Sequence, residues 1–210
     1  MSELVDKRIK EPQEDLISKL VKEQYKNDKL SRDEIIQLAI LVLTAGNAAM
    51  INSISLGVLT LLQHPKQLNE LKQDPKIAHQ VVNELMRYNT ASSLNSRRAA
   101  LHDTQIGNTT IRKGEGVICA VQSGDRDEDV TPNPEAFDIH RQYKPEEVLG
   151  FGYGPHRCQG EVLSRTELEM VFGTLFQKCP NLRLAVGDVN ELEFTSPTQN
   201  MGVVELPVLL

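Results

Sequence analysis

The chain has 210 residues, of which 40% are hydrophobic and 25% charged, so its composition is that of a globular protein with room for a sizeable core. The net charge of −6 argues against nucleic acid or an anionic membrane as a partner, because binding either one requires a basic surface. The sequence contains no run of about 18 uninterrupted apolar residues, which predicts that no segment spans a membrane.

The cysteines and the start of the sequence indicate the compartment. Cys119, Cys158 and Cys179 are an odd number without paired spacing, which favours reduced thiols over a disulfide framework. The first residues are charged and have no apolar core, so no targeting segment is predicted. We therefore expect a cytoplasmic location, with a mitochondrial location left open.

The N-terminal third of the sequence predicts helices. Residues 1–30 predict a polar, frayed start followed by a short amphipathic helix over residues 15–24. One long helix is predicted over residues 31–64, since Ser31-Arg-Asp-Glu34 has the pattern of a capping box. Because residues 38–58 are apolar nearly all round, this helix is expected to run through the middle of the fold.

The remaining sequence predicts further helices mixed with short strands. We expect a helix pair over residues 65–88, a small sheet with a long loop over 94–150, a cysteine-containing loop with a helix over 151–178, and strands over 179–210. The predicted fold class is therefore mainly α with small antiparallel β-sheets (α+β).

The strongest chemical signal is Phe151-Gly-Tyr-Gly-Pro-His-Arg-Cys-Gln-Gly160, here called the cysteine loop. Cys158 precedes a predicted helix, whose free N–H groups favour the thiolate form that binds metals. Gly152 and Gly154 permit positive φ and the close approach of a flat ligand. A single thiolate on such a loop suits an axial ligand of haem iron. The alternatives are a buried free cysteine and a nucleophile with His156 as its base.

Two features of the predicted helices point to packing or function. Glu84 and Arg87 are spaced so that their side chains can pair on one helix face, although an exposed ion pair has the same spacing. Gly46 lies inside the long helix, where glycine costs about 1 kcal/mol relative to alanine. This cost predicts either tight helix packing or a functional reason for the glycine.

Together these motifs resemble those of the cytochrome P450 family. Phe151, Gly154, Cys158 and Gly160 match the F-x-x-G-x-x-x-C-x-G haem loop, and the Glu84-x-x-Arg87 pattern matches the family's E-x-x-R pair. The resemblance covers essentially the whole chain, but only the C-terminal half of the family's fold. It implies haem b as cofactor, Cys158 as the axial ligand of the iron, and a small-molecule substrate.

The resemblance also implies roles for other residues of the chain. Arg98 and His156 would contact the haem propionates, for which guanidinium and imidazole donors are well suited. Arg141 would complete a structural cluster with Glu84 and Arg87 that holds the cysteine loop against the helices.

The distal side of the haem is where the sequence departs from the family. Ala45 and Gly46 match the start of the A-G-x-[DE]-T segment, but alanines stand at its acid and threonine positions, the second being Ala49. Ser92 matches a serine used in distal proton delivery, whereas Asn200 stands where an aspartate is expected. The resemblance therefore implies a proton relay that is partly lost.

Among cytochromes P450, the sequence most resembles the fungal nitric oxide reductase type. Gln122-Ser, Arg126-Asp-Glu and residues 202–208 carry this narrower match. It implies conversion of NO to N2O with electrons taken directly from NADH or NADPH, without a redox partner. The alternatives are an organic substrate and a non-catalytic, truncated fragment that binds haem weakly or not at all.

Overall fold

The computed structural model describes residues 1–91, 96–142, 144, 147–196 and 200–210. The α-helices are α1 (Ser2–Lys10), α2 (Leu16–Leu20), α3 (Arg32–Gln63), α4 (Pro65–Gln73), α5 (Ala78–Tyr88), α6 (Val121–Gly124) and α7 (Glu161–Lys178). Shorter helical turns are Val21–Tyr25 (π), Pro75–Ile77, Leu149–Phe151, Gly154–His156 and Val189–Glu191 (all four 3₁₀). The strands are β1 (Ser96–Ala99), β2 (Thr104–Ile106), β3 (Thr109–Ile111), β4 (Gly116–Cys119), β5 (Arg183–Leu184) and β6 (Val208–Leu209).

The strands form three small antiparallel sheets, which pair β1 with β4, β2 with β3, and β5 with β6. The predicted class, mainly α with small antiparallel sheets, is confirmed. The C-terminal strands are shorter than the sequence indicates, and Phe194 contributes only an isolated bridge to Val203.

The chain divides within α3 into two compact units, Met1–Ala48 and Ala49–Leu210. In the first unit the predicted frayed start is wrong, because α1 is a regular helix with the fully buried Val5 in a small core. Arg32 holds α1 in place by donating to both carboxylate oxygens of Asp6, at 2.6 and 2.8 Å. Basic residues in the last turn of α1 also complement the helix dipole.

Helix α3 differs from its expected placement in the middle of the fold. Residues 40–48 are exposed, whereas Ile35 near the start of the helix and residues 56–61 near its end are buried. The apolar composition does not bury this part of the helix because no described residue covers it. By length and composition α3 could also cross a membrane, which the criterion of an uninterrupted apolar run does not detect. One such helix is weak evidence, because core helices of non-membrane proteins meet the same criterion.

The main core of the second unit positions the cysteine loop. It joins the end of α3 to α4, α5 and α7, and it includes Phe151 from the cysteine loop itself. Gly57 lets α7 approach α3 closely, since a Cβ at this position would lie 2.3 Å from the Phe172 ring. Phe172 and Phe176 of α7 are both 1% exposed. The helix that follows Cys158 is therefore firmly packed.

Candidate functional site

Backbone hydrogen bonds close the cysteine loop around Cys158. The Cys158 amide donates to the Phe151 carbonyl at 2.8 Å, and the Arg157 amide donates to the Gly154 carbonyl at 3.0 Å. Gly152 and Gly154 have φ values of 78° and 77°, in the left-handed region that favours glycine. The prediction that these two glycines provide positive φ is confirmed.

The Cys158 side chain is exposed, so the alternative of a buried free cysteine is wrong. Gly160 occupies the N-cap of α7, which places Cys158 just before the first helical turn. Among the described residues, no group of three or more His, Cys, Asp or Glu side chains could hold a metal ion. The arrangement is therefore that of a single accessible thiol, which can provide one ligand to a metal held mainly by another group.

An ion pair ladder that the sequence analysis did not identify runs from the cysteine loop along α7. Arg157 donates to both Glu161 carboxylate oxygens, at 2.6 and 2.8 Å, and to the Gly152 carbonyl at 3.0 Å. Arg165 donates to Glu161 at 2.9 Å, and its guanidinium lies 4.9 Å from the centroid of the Phe151 ring. Burial opposes ionisation of Glu161, but the two arginines hold its pKa below the ordinary value. The sequence signal for this ion pair ladder was the spacing of Arg157, Glu161 and Arg165, each four residues after the previous one.

Glu84, Arg87 and Arg141 form a buried ion cluster behind the cysteine loop. Arg87 donates to both Glu84 oxygens, at 2.8 and 2.7 Å, and the two side chains are only 2% and 1% exposed. Arg141 Nε lies 3.5 Å from Glu84 Oε1. The predicted pairing is therefore present, and the alternative of an exposed helix ion pair is wrong.

The buried ion cluster fixes the long loop that precedes the cysteine loop. The arginines donate to backbone carbonyls of residues 125, 132, 133, 134 and 136. Glu84 accepts the Asp138 amide at 2.9 Å. Because Arg87 and Glu84 bond to backbone groups 38 to 54 residues away in sequence, the cluster joins α5 to a segment with little regular structure.

Two residues expected to contact haem propionates are exposed. Arg98 lies on β1, where its Nη1 donates to the Arg97 carbonyl at 3.0 Å, and His156 lies in the 3₁₀ turn before Cys158. The contact of either residue with a propionate stays a prediction. Because both side chains are exposed, each is accessible to a ligand carboxylate.

The residues expected on the distal side are distributed over both units. Ala45 and Gly46 belong to the first unit and are exposed, and a Cβ at Gly46 would meet no atom of the described residues within 4 Å. Tight packing therefore does not explain Gly46. Ala49 belongs to the second unit and is half-buried. Ser92 lies outside the described residues.

Asn200 and its neighbour Met201 contact α3 and Ala91, which lies shortly after the end of α5. Its carbonyl accepts hydrogen bonds from Asn52 Nδ2 at 3.2 Å and from the Thr195 hydroxyl at 2.8 Å. The next residue, Met201, donates its amide to the Ala91 carbonyl at 2.7 Å. Since Asn52 lies one turn after Ala49 on α3, the structure brings the altered position 200 to the same part of the second unit as Ala49.

Comparisons with known proteins point to one family. The family model "Cytochrome P450" matches residues 2–181. The chain is 48% identical to "Cytochrome P450 55A3" of Fusarium lichenicola, over 99% of the chain and 51% of the relative. It is 40% identical to "Pentalenic acid synthase" of Streptomyces avermitilis, over 98% of the chain and 50% of the relative.

Solved structures show the same fold. The crystal structure of cytochrome P450 MoxA from Nonomuraea recticatena matches with a TM-score of 0.92 and 39% identity, over 99% of this chain and 51% of that chain. The chain thus spans about half the length of the relatives it matches. By family model, sequence identity and fold, the chain belongs to the cytochrome P450 family.

Proposed function

We propose that this chain carries the haem-thiolate site of a cytochrome P450 oxidoreductase, with Cys158 as the axial ligand of haem b iron. The observation that carries the proposal is the exposed Cys158 thiol on a loop closed by the hydrogen bond to the Phe151 carbonyl. When bound, the haem supplies the iron centre at which a small-molecule substrate is oxidised or reduced.

The residues around Cys158 fit a large apolar ligand with carboxylate groups. Tyr153, Val162 and Leu163 flank Cys158 in the chain and are 78%, 78% and 63% exposed. Apolar side chains of this size gain free energy when a flat hydrophobic ring covers them. Arg98 and His156 are exposed donors for propionate groups. The cysteine loop therefore offers a soft ligand next to exposed apolar side chains in the chain, and Arg98 and His156 are the candidate donors for the propionates.

For the reaction, we propose nitric oxide reduction to N2O with NADH or NADPH as electron donor and without a redox partner, in the cytoplasm. The support is the sequence resemblance carried by residues 122–128 and 202–208, together with the 48% identity to the Fusarium relative. The chain's own contribution is to bind and orient the haem through Cys158 and the cysteine loop. An organic substrate is the alternative within the same family.

A second candidate function is a non-catalytic fragment that binds haem weakly or not at all. The observation that favours it is the exposed apolar part of α3, where Leu41 and Leu43 are 62% and 63% exposed. Such a surface promotes association or aggregation.

The deciding experiment is reconstitution of the chain with haem, followed by reduction and addition of CO. We expect the red-shifted Soret band of a thiolate-ligated ferrous–CO haem. Oxidation of NADH that depends on NO then distinguishes a reductase from a passive haem binder. Failure to take up haem would contradict the haem-thiolate proposal for this chain and support the second candidate.

Restoring a hydroxyl on the distal side should increase turnover. We expect Ala49→Thr to raise NO-dependent NADH oxidation about tenfold, less than the roughly hundredfold that a complete proton relay supplies, because Asn200 remains a carboxamide. The matched control is Ala49→Val, which adds the same shape without the hydroxyl. Equal rates for the two variants would show that proton delivery through this position does not limit the reaction.

A further inference from the structure

A buried carboxyl group that the proposed function does not use lies behind the cysteine loop. Asp125 follows α6 and is 2% exposed. The Thr90 hydroxyl donates to its Oδ2 at 2.9 Å, and the Leu149 amide donates to its Oδ1 at 2.7 Å. Burying a carboxyl group costs free energy unless hydrogen bonds compensate, and here the compensating donors come from two separate segments of the chain.

One of these two hydrogen bonds leads directly to the cysteine. Leu149 begins the 3₁₀ turn Leu149–Phe151, and its carbonyl accepts the Gly152 amide at 2.7 Å. The carbonyl of Phe151, at the end of the same turn, accepts the Cys158 amide at 2.8 Å. Asp125 therefore accepts the first N–H of the turn, and the last carbonyl of the same turn accepts the Cys158 amide.

The turn is packed too closely to be displaced freely. A Cβ at Gly150 would lie 2.7 Å from the Met86 carbonyl of α5, and a Cβ at Gly124 would lie 2.8 Å from the Leu149 side chain. These contacts set how near the turn lies to α5 and α6. The hydrogen bond to Asp125 fixes the orientation of the turn, because it directs the Leu149 amide towards the buried carboxyl group.

Arg87 and Arg126 lie near Asp125, and Arg87 connects it to the buried ion cluster. Burial raises the pKa of Asp125 to about 6, although the hydrogen bonds from Leu149 and Thr90 and the charges of Arg87 and Arg126 oppose the rise. Arg87 Nη1 also donates to the Asp125 carbonyl at 3.1 Å.

We propose that Asp125 is a positioning residue for the cysteine loop. Through its hydrogen bond with the Leu149 amide, Asp125 couples the buried ion cluster to Cys158. The consequence for the haem rests on the function proposed above, whereas the hydrogen bonds belong to the polypeptide itself. The Asp125 side chain acts through Leu149 and Phe151 on the orientation of the Cys158 amide, and through it on the thiol.

The test compares Asp125→Ala with Asp125→Asn. Alanine removes the acceptor, whereas the Asn carbonyl still accepts the Leu149 amide and its NH2 group donates to the Thr90 oxygen. The Thr90 hydroxyl can then donate to the Met86 carbonyl, already 3.3 Å away. Asp129→Asn is the matched control, because Asp129 is exposed.

The primary measurement is amide hydrogen exchange in the haem-free chain. We expect Asp125→Ala to accelerate exchange at Leu149 and Cys158 about tenfold, the effect of losing one such hydrogen bond, whereas Asp125→Asn and Asp129→Asn leave exchange near the wild-type rate. In the haem-loaded chain, Asp125→Ala should reduce the fraction of thiolate-ligated ferrous–CO complex, and Asp125→Asn should restore it. Unchanged Cys158 exchange in a folded Asp125→Ala variant would overturn the proposal.

A second measurement covers the case in which Asp125→Ala does not fold. The Leu149 amide proton resonance of the wild-type chain should move between pH 5 and 8 with a midpoint near the pKa of Asp125 of about 6, and it should stay constant in Asp125→Asn. A Leu149 amide resonance that is the same in the wild-type chain at pH 8 and in Asp125→Asn would overturn the proposal, because the charge of the acceptor would then have no effect on this amide. Lack of the thiolate band in the wild-type chain would contradict the haem function, while the exchange pattern still decides the role of Asp125.

Discussion

Replacing Cys158 with alanine should abolish the red-shifted Soret band of the ferrous–CO complex. The thiolate ligand produces this band, and alanine has no atom that can bind the iron. In the described structure no cluster of His, Cys, Asp or Glu side chains offers a substitute metal site. We therefore expect complete loss of the band, measured in the reconstituted chain at equal haem loading.

The matched control is Cys119→Ala. Cys119 is also an exposed free thiol, but it lies on β4 rather than in the cysteine loop. The spectrum of this variant should equal that of the wild-type chain. If the band persists in Cys158→Ala, another residue is the iron ligand. If it disappears in Cys119→Ala as well, loss of a thiol has a general effect on the chain.

Removing the carboxylate of Glu84 should strongly destabilise the fold. In Glu84→Ala the Arg87 guanidinium stays buried without its ionic partner, a change that typically costs 3–5 kcal/mol, so we expect a loss of about 4 kcal/mol. The Asp138 amide loses its acceptor as well. The measurement is the free energy of unfolding in urea, read from the transition midpoint at constant slope.

The chain offers an exposed ion pair as the control. Arg126 and Glu135 are 3.2 Å apart, and the Glu135 side chain is 76% exposed. Glu135→Ala should cost about 0–1 kcal/mol, because solvent screens exposed pairs. Equal losses for Glu84→Ala and Glu135→Ala would contradict the view that the buried ion cluster stabilises the second unit.

Features that depend on neighbouring residues could be predicted from the amino-acid sequence alone. Gly152 and Gly154 adopt the positive φ that their residue type permits, and Glu84 pairs with Arg87 one helical turn away. The capping box is also present, since the Ser31 amide donates to the Glu34 carboxylate at 2.7 Å and the Glu34 amide to the Ser31 hydroxyl at 3.3 Å. Steric limits and short-range hydrogen bonds act within a few residues, so a local pattern is enough to predict them.

Recognition of the family added what local patterns do not contain. It supplied Arg141 as a partner for Glu84, 57 residues away, and the structure places the two within 3.5 Å. It also implied Cys158 as the haem ligand and the distal positions at which the sequence departs from the family.

Burial and long-range contacts could not be predicted from the sequence, because they depend on how the whole chain folds. The all-round apolar character of residues 38–58 predicted that α3 runs through the middle of the fold, yet residues 40–48 are exposed, because burial depends on which other elements are present to cover a face. Asp125 has no sequence signal, since its partners Thr90 and Leu149 lie 35 and 24 residues away. The type of a residue determines how readily it leaves water, but the fold determines which groups it contacts once it is buried.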